Sequence, residues 1–234
     1  MIDKTFIEKI LSLAPAAVLE IDGRRFTDGE VFPVKEPVAM RISCHTVTGL
    51  IDYYDTMIDT PDSIVFHVED FNKASIISKI FGANKQRETF ITAEAYELKH
   101  RLNSHMPVEE FIIYLQSMFV QDDTTTKIMK IVGNLSQGQN TTHADDGVTQ
   151  RVEAKVGVTR VELVDLPNPV ELRPFRTFMD VEQPASKFIL RIKADDKGPL
   201  CALFEADGGA WKNRAIANIK HYLEERKIGA QIVA

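Results

Sequence analysis

The chain has 234 residues, 44% hydrophobic and 26% charged, a balance that excludes a disordered or fibrous polypeptide and suffices for one large core or two small ones. Its 28 Lys and Arg against 34 Asp and Glu leave a net charge of -6, which disfavours non-specific binding to nucleic acid. The two cysteines, Cys44 and Cys201, lie far apart in apolar stretches, the pattern of buried reduced thiols rather than of a disulfide frame.

The opening segment MIDKTFIEKILSLAPAA is interrupted by Asp3 and Glu8, unlike the apolar core of a signal peptide, and no stretch approaches the ~20 apolar residues of a membrane span. The expected location is cytoplasmic, without membrane contact. Phe6, Ile10 and Leu13 recur at helical spacing and predict a helix over 3–13 that Pro15 stops. Short β-like runs follow from Ala17 to Phe32 around Asp22-Gly23 and Asp28-Gly29, dipeptides that suit hairpin turns, and VAMRIS over 38–43 reads as a further strand.

Thr46 is placed to cap a helix running to about residue 59, with Val47, Leu50, Ile51, Tyr54 and Ile58 on one side. Alternation from Ile64 to Glu69 predicts a strand, and ASIISKIF and RETFITAEAY read as hairpin arms. Pro107 followed by Glu109 and Glu110 marks a helix start, with Phe111, Ile112, Leu115 and Phe119 as its stripe. The run TTTKIMKIVGNL is too short for periodicity to decide between helix and strand.

The polar stretch 136–147 predicts a loop or turn-rich hairpin, and strands are expected from Val148 to Val156 and, after Gly157, in VTRVELV. Prolines 167, 169, 174 and 184 predict an extended connection or sheet edge. KFILRIKA and PLCALFEA enclose the turn Asp195-Asp196-Lys197-Gly198, and a last helix is expected from near Ala210 to Arg226.

The fold expected from these elements is α+β, a largely antiparallel sheet or pair of sheets with helices packed on one side. A break near 100–106 divides it into an N-terminal subdomain of 1–100 and a C-terminal subdomain of 107–234, or leaves one continuous domain.

The six histidines form no HxH, HExxH or Cys-His frame, so neither a metal nor a cofactor is expected, and no nucleophile elbow, P-loop or Rossmann fingerprint occurs. Two constellations stand out. In EADGGAWKNR, Gly208 and Gly209 lead a strand into a helix whose first amides can hold an anion, with Lys212 and Arg214 one turn on and Trp211 available to stack on a partner. Against an anion, Asp207 has the wrong charge and is a good helix cap; the glycines then simply make a tight turn. The second is the loop of His143, Asp145 and Asp146 beside Gly147, where an aspartate-rich surface turn is the competing reading. Arg151, Lys155 and Arg160 form a basic strip broken by Glu153.

The order PVEEFIIYLQSMF, VTQRVEAKVG, KFILRI, ALFEAD and AIANIKHYLEE resembles the YfdQ-like family of tailed-phage and prophage proteins over roughly residues 45 to 226. The resemblance implies an accessory role early in infection, in the host cytosol, and brings no catalytic residue or cofactor with it. The expected function is non-enzymatic binding of a host protein or small molecule, with a homo-oligomer as one form. The alternatives are a nucleic-acid accessory in phage recombination or replication and an enzyme acting on nucleotides.

Overall fold

The computed structural model describes residues 3–13, 18–21, 24–27, 40–58, 61–81, 85–135, 144–145, 150–156, 160–165, 168–196, 198–226 and 228–234. Contacts divide the chain into two compact units, Met1–Ala39 and Met40–Ala234. The first contains helix α1 (Lys4–Leu13) and strands β1 (Val18–Ile21) and β2 (Arg24–Thr27). These strands pair antiparallel with Ile21 opposite Arg24, the register of the expected hairpin, while the apolar stripe of α1 (Phe6, Ile10, Leu13) stays exposed. The Asp28-Gly29 turn lies outside the described residues.

In the second unit β3 (Ile42–Cys44) leads into α2 (Val47–Met57), where the Thr46 hydroxyl accepts the Gly49 amide at 3.1 Å as the expected cap. Then come β4 (Ile64–Asp70), β5 (Lys73–Ser78) and β6 (Thr89–Glu94), followed by β7 (Met106–Pro107) and α3 (Val108–Met118). The ambiguous TTTKIMKIVGNL segment is a helix, α4 (Asp123–Gly133): the Asp122 carboxylate accepts the Thr125 amide at 2.9 Å and starts it. Strands β8 (Ala144–Asp145), β9 (Gln150–Val156), β10 (Arg160–Asp165), β11 (Val170–Leu172), β12 (Ser186–Asp195) and β13 (Gly198–Glu205) precede α5 (Trp211–Glu225) and β14 (Gln231–Val233).

The architecture is α+β, with mostly antiparallel sheets. One sheet runs β14-β4-β5-β6-β3, a second β11-β12-β13-β7, and a third β10-β9-β8. The two outer strands of the first sheet, β14 and β3, join it in parallel, a pairing that requires a crossover rather than a hairpin. Two hydrophobic cores result. Val47 and Leu50 of α2 and Ile219 and Leu223 of α5 pack with Phe66, Ile76 and Ile91 of the first sheet. Phe111 and Leu115 of α3 and Ile128 and Val132 of α4 pack with Phe188, Leu190 and Leu203 of the second.

The expected break at 100–106 falls between segments that feed different cores, yet α5 and β14 return from the C-terminal half to the first sheet, so the cores interleave in sequence. Cys201 is fully buried, and burial pushes its thiol up to about 12. Cys44, expected to be buried, is only partly so because it ends an outer strand; burial still raises its thiol.

The proline-rich stretch was expected to be an extended connection or sheet edge, and β11 is indeed a terminal strand. Residues 173–185, however, form a strap that enters the interior: Thr177, Phe178, Val181 and Gln183 are buried, and Phe178 and Val181 join the first core. An irregular buried backbone needs partners for its polar groups. Gln183 supplies them. Its carbonyl oxygen accepts the Arg176 and Thr177 amides at 2.9 and 3.2 Å, and its amide donates to the Phe178 and Val181 carbonyls at 2.9 and 3.2 Å. Gln183→Leu leaves these buried groups unpaired and is expected to destabilise the protein by about 2 kcal/mol or more, read from the urea midpoint; an unchanged midpoint would show that the strap is held by other means.

Candidate functional site

The strand-to-helix passage after β13 contains the first sequence-derived constellation. Gly208 and Gly209 have φ of 63° and 82°, a left-handed conformation in which side chains are strained. The Asp207 carboxylate Oδ1 accepts the Gly209 amide at 3.1 Å, and the Asp207 carbonyl accepts the Ala210 amide at 3.1 Å. The protein's own carboxylate thus takes the Gly209 donor that the sequence offered to an anion, and Arg214 Nη2 lies 3.9 Å from Asp207 Oδ2. Trp211 is only 8% exposed and meets Phe71 edge-on, with centroids 4.9 Å apart. Lys212 Nζ lies 5.5 Å from the Phe71 ring and 5.9 Å from that of Trp211. The five residues Gly208, Gly209, Trp211, Lys212 and Arg214 therefore do gather, around an internal carboxylate and a buried ring.

Of the second constellation, His143 and Asp146 lie outside the described residues, and the backbone of Asp145 pairs with Gln150 between β8 and β9. Of the basic strip, Lys155 falls opposite Val161 and Arg160 opposite Val156.

The centre of the cluster is a residue that sequence reasoning passed over. Arg176, on the strap, has a side chain only 5% exposed. Its guanidinium lies 4.6 Å from the Trp211 ring and 5.3 Å from that of Phe188, and its Nη1 donates to Glu205 Oε1 at 2.5 Å. Stacking and a charge-assisted bond together replace part of the lost hydration. The only sequence signal was a cation among aromatic residues in PFRTF, within a stretch that reads as a connection.

Beside it, His100 Nε2 meets the Phe175 carbonyl at 2.9 Å and Nδ1 meets the Tyr114 hydroxyl at 3.1 Å. A carbonyl only accepts, so Nε2 carries the proton and Nδ1 accepts from Tyr114. Burial lowers the His100 pKa, with the Arg176 charge adding to the effect, and burial raises Tyr114 to about 12. Both rings are held neutral near pH 7, with their hydrogen bonds directed inward. The arrangement ties His100 to α3 through Tyr114 and to the strap through the Phe175 carbonyl.

Elsewhere, Tyr96 stacks on His45 with centroids 4.1 Å apart and planes at 24°, while His45 Nδ1 meets the Glu94 carbonyl at 2.8 Å. Tyr96 is 67% exposed, and Met40, Ile42 and Leu98 are exposed as well; Ile42 belongs to β3, a terminal strand of the first sheet. An open groove of about 330 Å³ lies between the start of α4 and β11, lined by Asp123, Lys127, Ile128 and Glu171 among others. Comparison with protein-family models, curated proteins and solved structures gives no match. Among the described residues no cluster of three or more His, Cys, Asp or Glu is arranged to hold a metal, and no helix is long and apolar enough to cross a membrane.

Two measurements test the clamp. Trp211→Ala is expected to cost about 3 kcal/mol or more in unfolding free energy, since it removes a buried ring and one face of the Arg176 stack. The second concerns pH. His100 has a folded pKa below its ordinary 6.5, so the unfolded chain takes up the proton first and stability falls as pH drops below about 6.5. His105, also lowered by burial, contributes in the same direction. The melting temperature should therefore decline from pH 7.5 to 5.5, and His100→Gln should flatten part of that decline; an identical slope in the variant would remove His100 from the account.

Proposed function

We propose that the protein is a non-enzymatic binding protein, an accessory of phage or prophage origin that engages a host protein. The observation that carries this reading is the outward Tyr96 ring, stacked on a His45 that is itself tied to the Glu94 carbonyl. A large ring fixed in place while exposed loses little conformational freedom on binding, and aromatic residues of this kind dominate the energetics of protein contacts. Exposed Ile42 on β3, the terminal strand of the first sheet among the described residues, adds apolar area with Met40 and Leu98, and a sheet edge is a surface used for strand addition by partners. The shifted titratable groups of the interior support the same reading, since their bonds serve the fold.

The phage or prophage assignment rests on the resemblance to the YfdQ-like family, and the gene neighbourhood of chains bearing the same segment order tests it. For the contact, the protein isolated from bacterial host cells is expected to retain a partner in native mass spectrometry, and Tyr96→Ala is expected to lose that partner at least tenfold with an unchanged melting temperature. A bare monomer from the parent, or equal retention by the variant, refutes the binding surface.

A further inference from the structure

Three buried side-chain atoms near the Arg176 clamp have no hydrogen-bond partner: Arg176 Nη2, Ser186 Oγ and Asp207 Oδ2. Their positions are related by the β12–β13 register. Phe188 pairs with Glu205, and the Ala206 amide donates to the Lys187 carbonyl at 2.8 Å, so the ladder continues and Ser186 falls opposite Asp207. Side chains alternate along a strand, which puts Ser186 on the face of Phe188 and Asp207 on the face of Glu205. Arg176 lies over Phe188 and bonds Glu205, so it covers that same face.

The register and the Arg176 contacts thus bring the three unmatched polar atoms to the same end of one sheet face. Leaving any one of them unpaired in the interior costs about 1–3 kcal/mol, which makes three at one place far more expensive than a shared partner. The chemistry of the three defines that partner. Nη2 only donates, the Asp207 carboxylate only accepts, and the Ser186 hydroxyl does either. An anion would meet Glu205 and Asp207, and a cation would meet Arg176 and Arg214. A neutral molecule that donates and accepts fits all three, and water, which typically makes about three hydrogen bonds when buried, is the smallest.

We propose that this spot is an internal hydration site in which one water accepts from Arg176 Nη2, donates to Asp207 Oδ2 and bonds Ser186 Oγ. The water joins the strap, strand β12 and the turn before α5. The proposal is independent of the binding surface around Tyr96.

A crystal structure at a resolution that defines water is expected to place a single peak within hydrogen-bond distance of all three atoms. In solution, oxygen-17 relaxation dispersion is expected to detect one long-lived internal water that is lost in Ser186→Val, whose bulk takes up the space. A direct Arg176–Asp207 bond closing the spot, a larger molecule bound there, or an undiminished relaxation signal in a folded Ser186→Val protein would each overturn it. Should Ser186→Val fail to fold, the parent crystal structure decides.

Discussion

The structure depends on how one buried cation is accommodated. Taking a guanidinium out of water costs several kcal/mol unless its surroundings replace hydration, and Arg176 has a carboxylate on one nitrogen and two aromatic rings close by, those of Trp211 and Phe188. Those three partners come from different places: Glu205 ends β13, Phe188 belongs to the core of the second sheet, and Trp211 starts α5, whose later turns pack on the first sheet. The cation therefore ties together segments that feed both cores. The strap that carries Arg176 then continues the connection, with Phe178 and Val181 in the first core and the Thr177 hydroxyl donating to the Phe71 carbonyl in the β4–β5 turn. Asp180, further along, accepts the Thr48 amide and hydroxyl at 2.8 and 2.7 Å at the start of α2, and Thr48 in turn meets the Tyr222 hydroxyl of α5 at 2.9 Å.

This arrangement separates what could be read in the sequence from what could not. Thr46 as a cap, the β12–β13 hairpin and the helix that starts near Ala210 were legible because each is specified by residues a few positions apart: a hydroxyl three residues before an amide, a polar turn between apolar runs, a glycine pair before helical spacing. The type of α4 was not, because its apolar run is short and the deciding feature is the Asp122 side chain just before it. The parallel placement of β3 and β14 was also hidden, since it depends on α2 and α5 crossing the sheet rather than on any local turn. Prolines at 167, 169, 174 and 184 made the strap read as periphery, whereas Gln183 supplies the bonds that allow irregular backbone to be buried.

The candidate site shows the same division. The glycine turn and Trp211 were found from composition, and the structure brings all five residues of that constellation together. Their chemistry changed with context: Asp207, which sequence reasoning weighed as an obstacle to an anion, is itself the anion at the turn, and Trp211 faces inward onto a guanidinium instead of outward onto a partner. Arg176 lies far from both in sequence, so the cluster could be recognised only once the fold had joined them. Tyr96 was missed for a different reason. A single tyrosine at the end of a predicted strand carries no signal until its exposure and its stack on His45 are visible.

The distribution of basic residues bears on the choice between protein and nucleic acid as partner. Nucleic-acid affinity comes from cations free to displace counterions along a phosphate backbone. Among the described residues, Arg173 lies 3.1 Å from Asp122 and 3.8 Å from Glu182, Arg101 lies 2.9 Å from Glu110, and Lys73 lies 2.8 Å from Glu69. Arg176 and Arg214 face Glu205 and Asp207. A phosphate reaching any of these would first have to displace a carboxylate already in place, on a chain whose net charge of -6 opposes its approach. An apolar partner meeting Tyr96, Ile42 and Leu98 faces no such competition, because the groups it covers give up only contact with water.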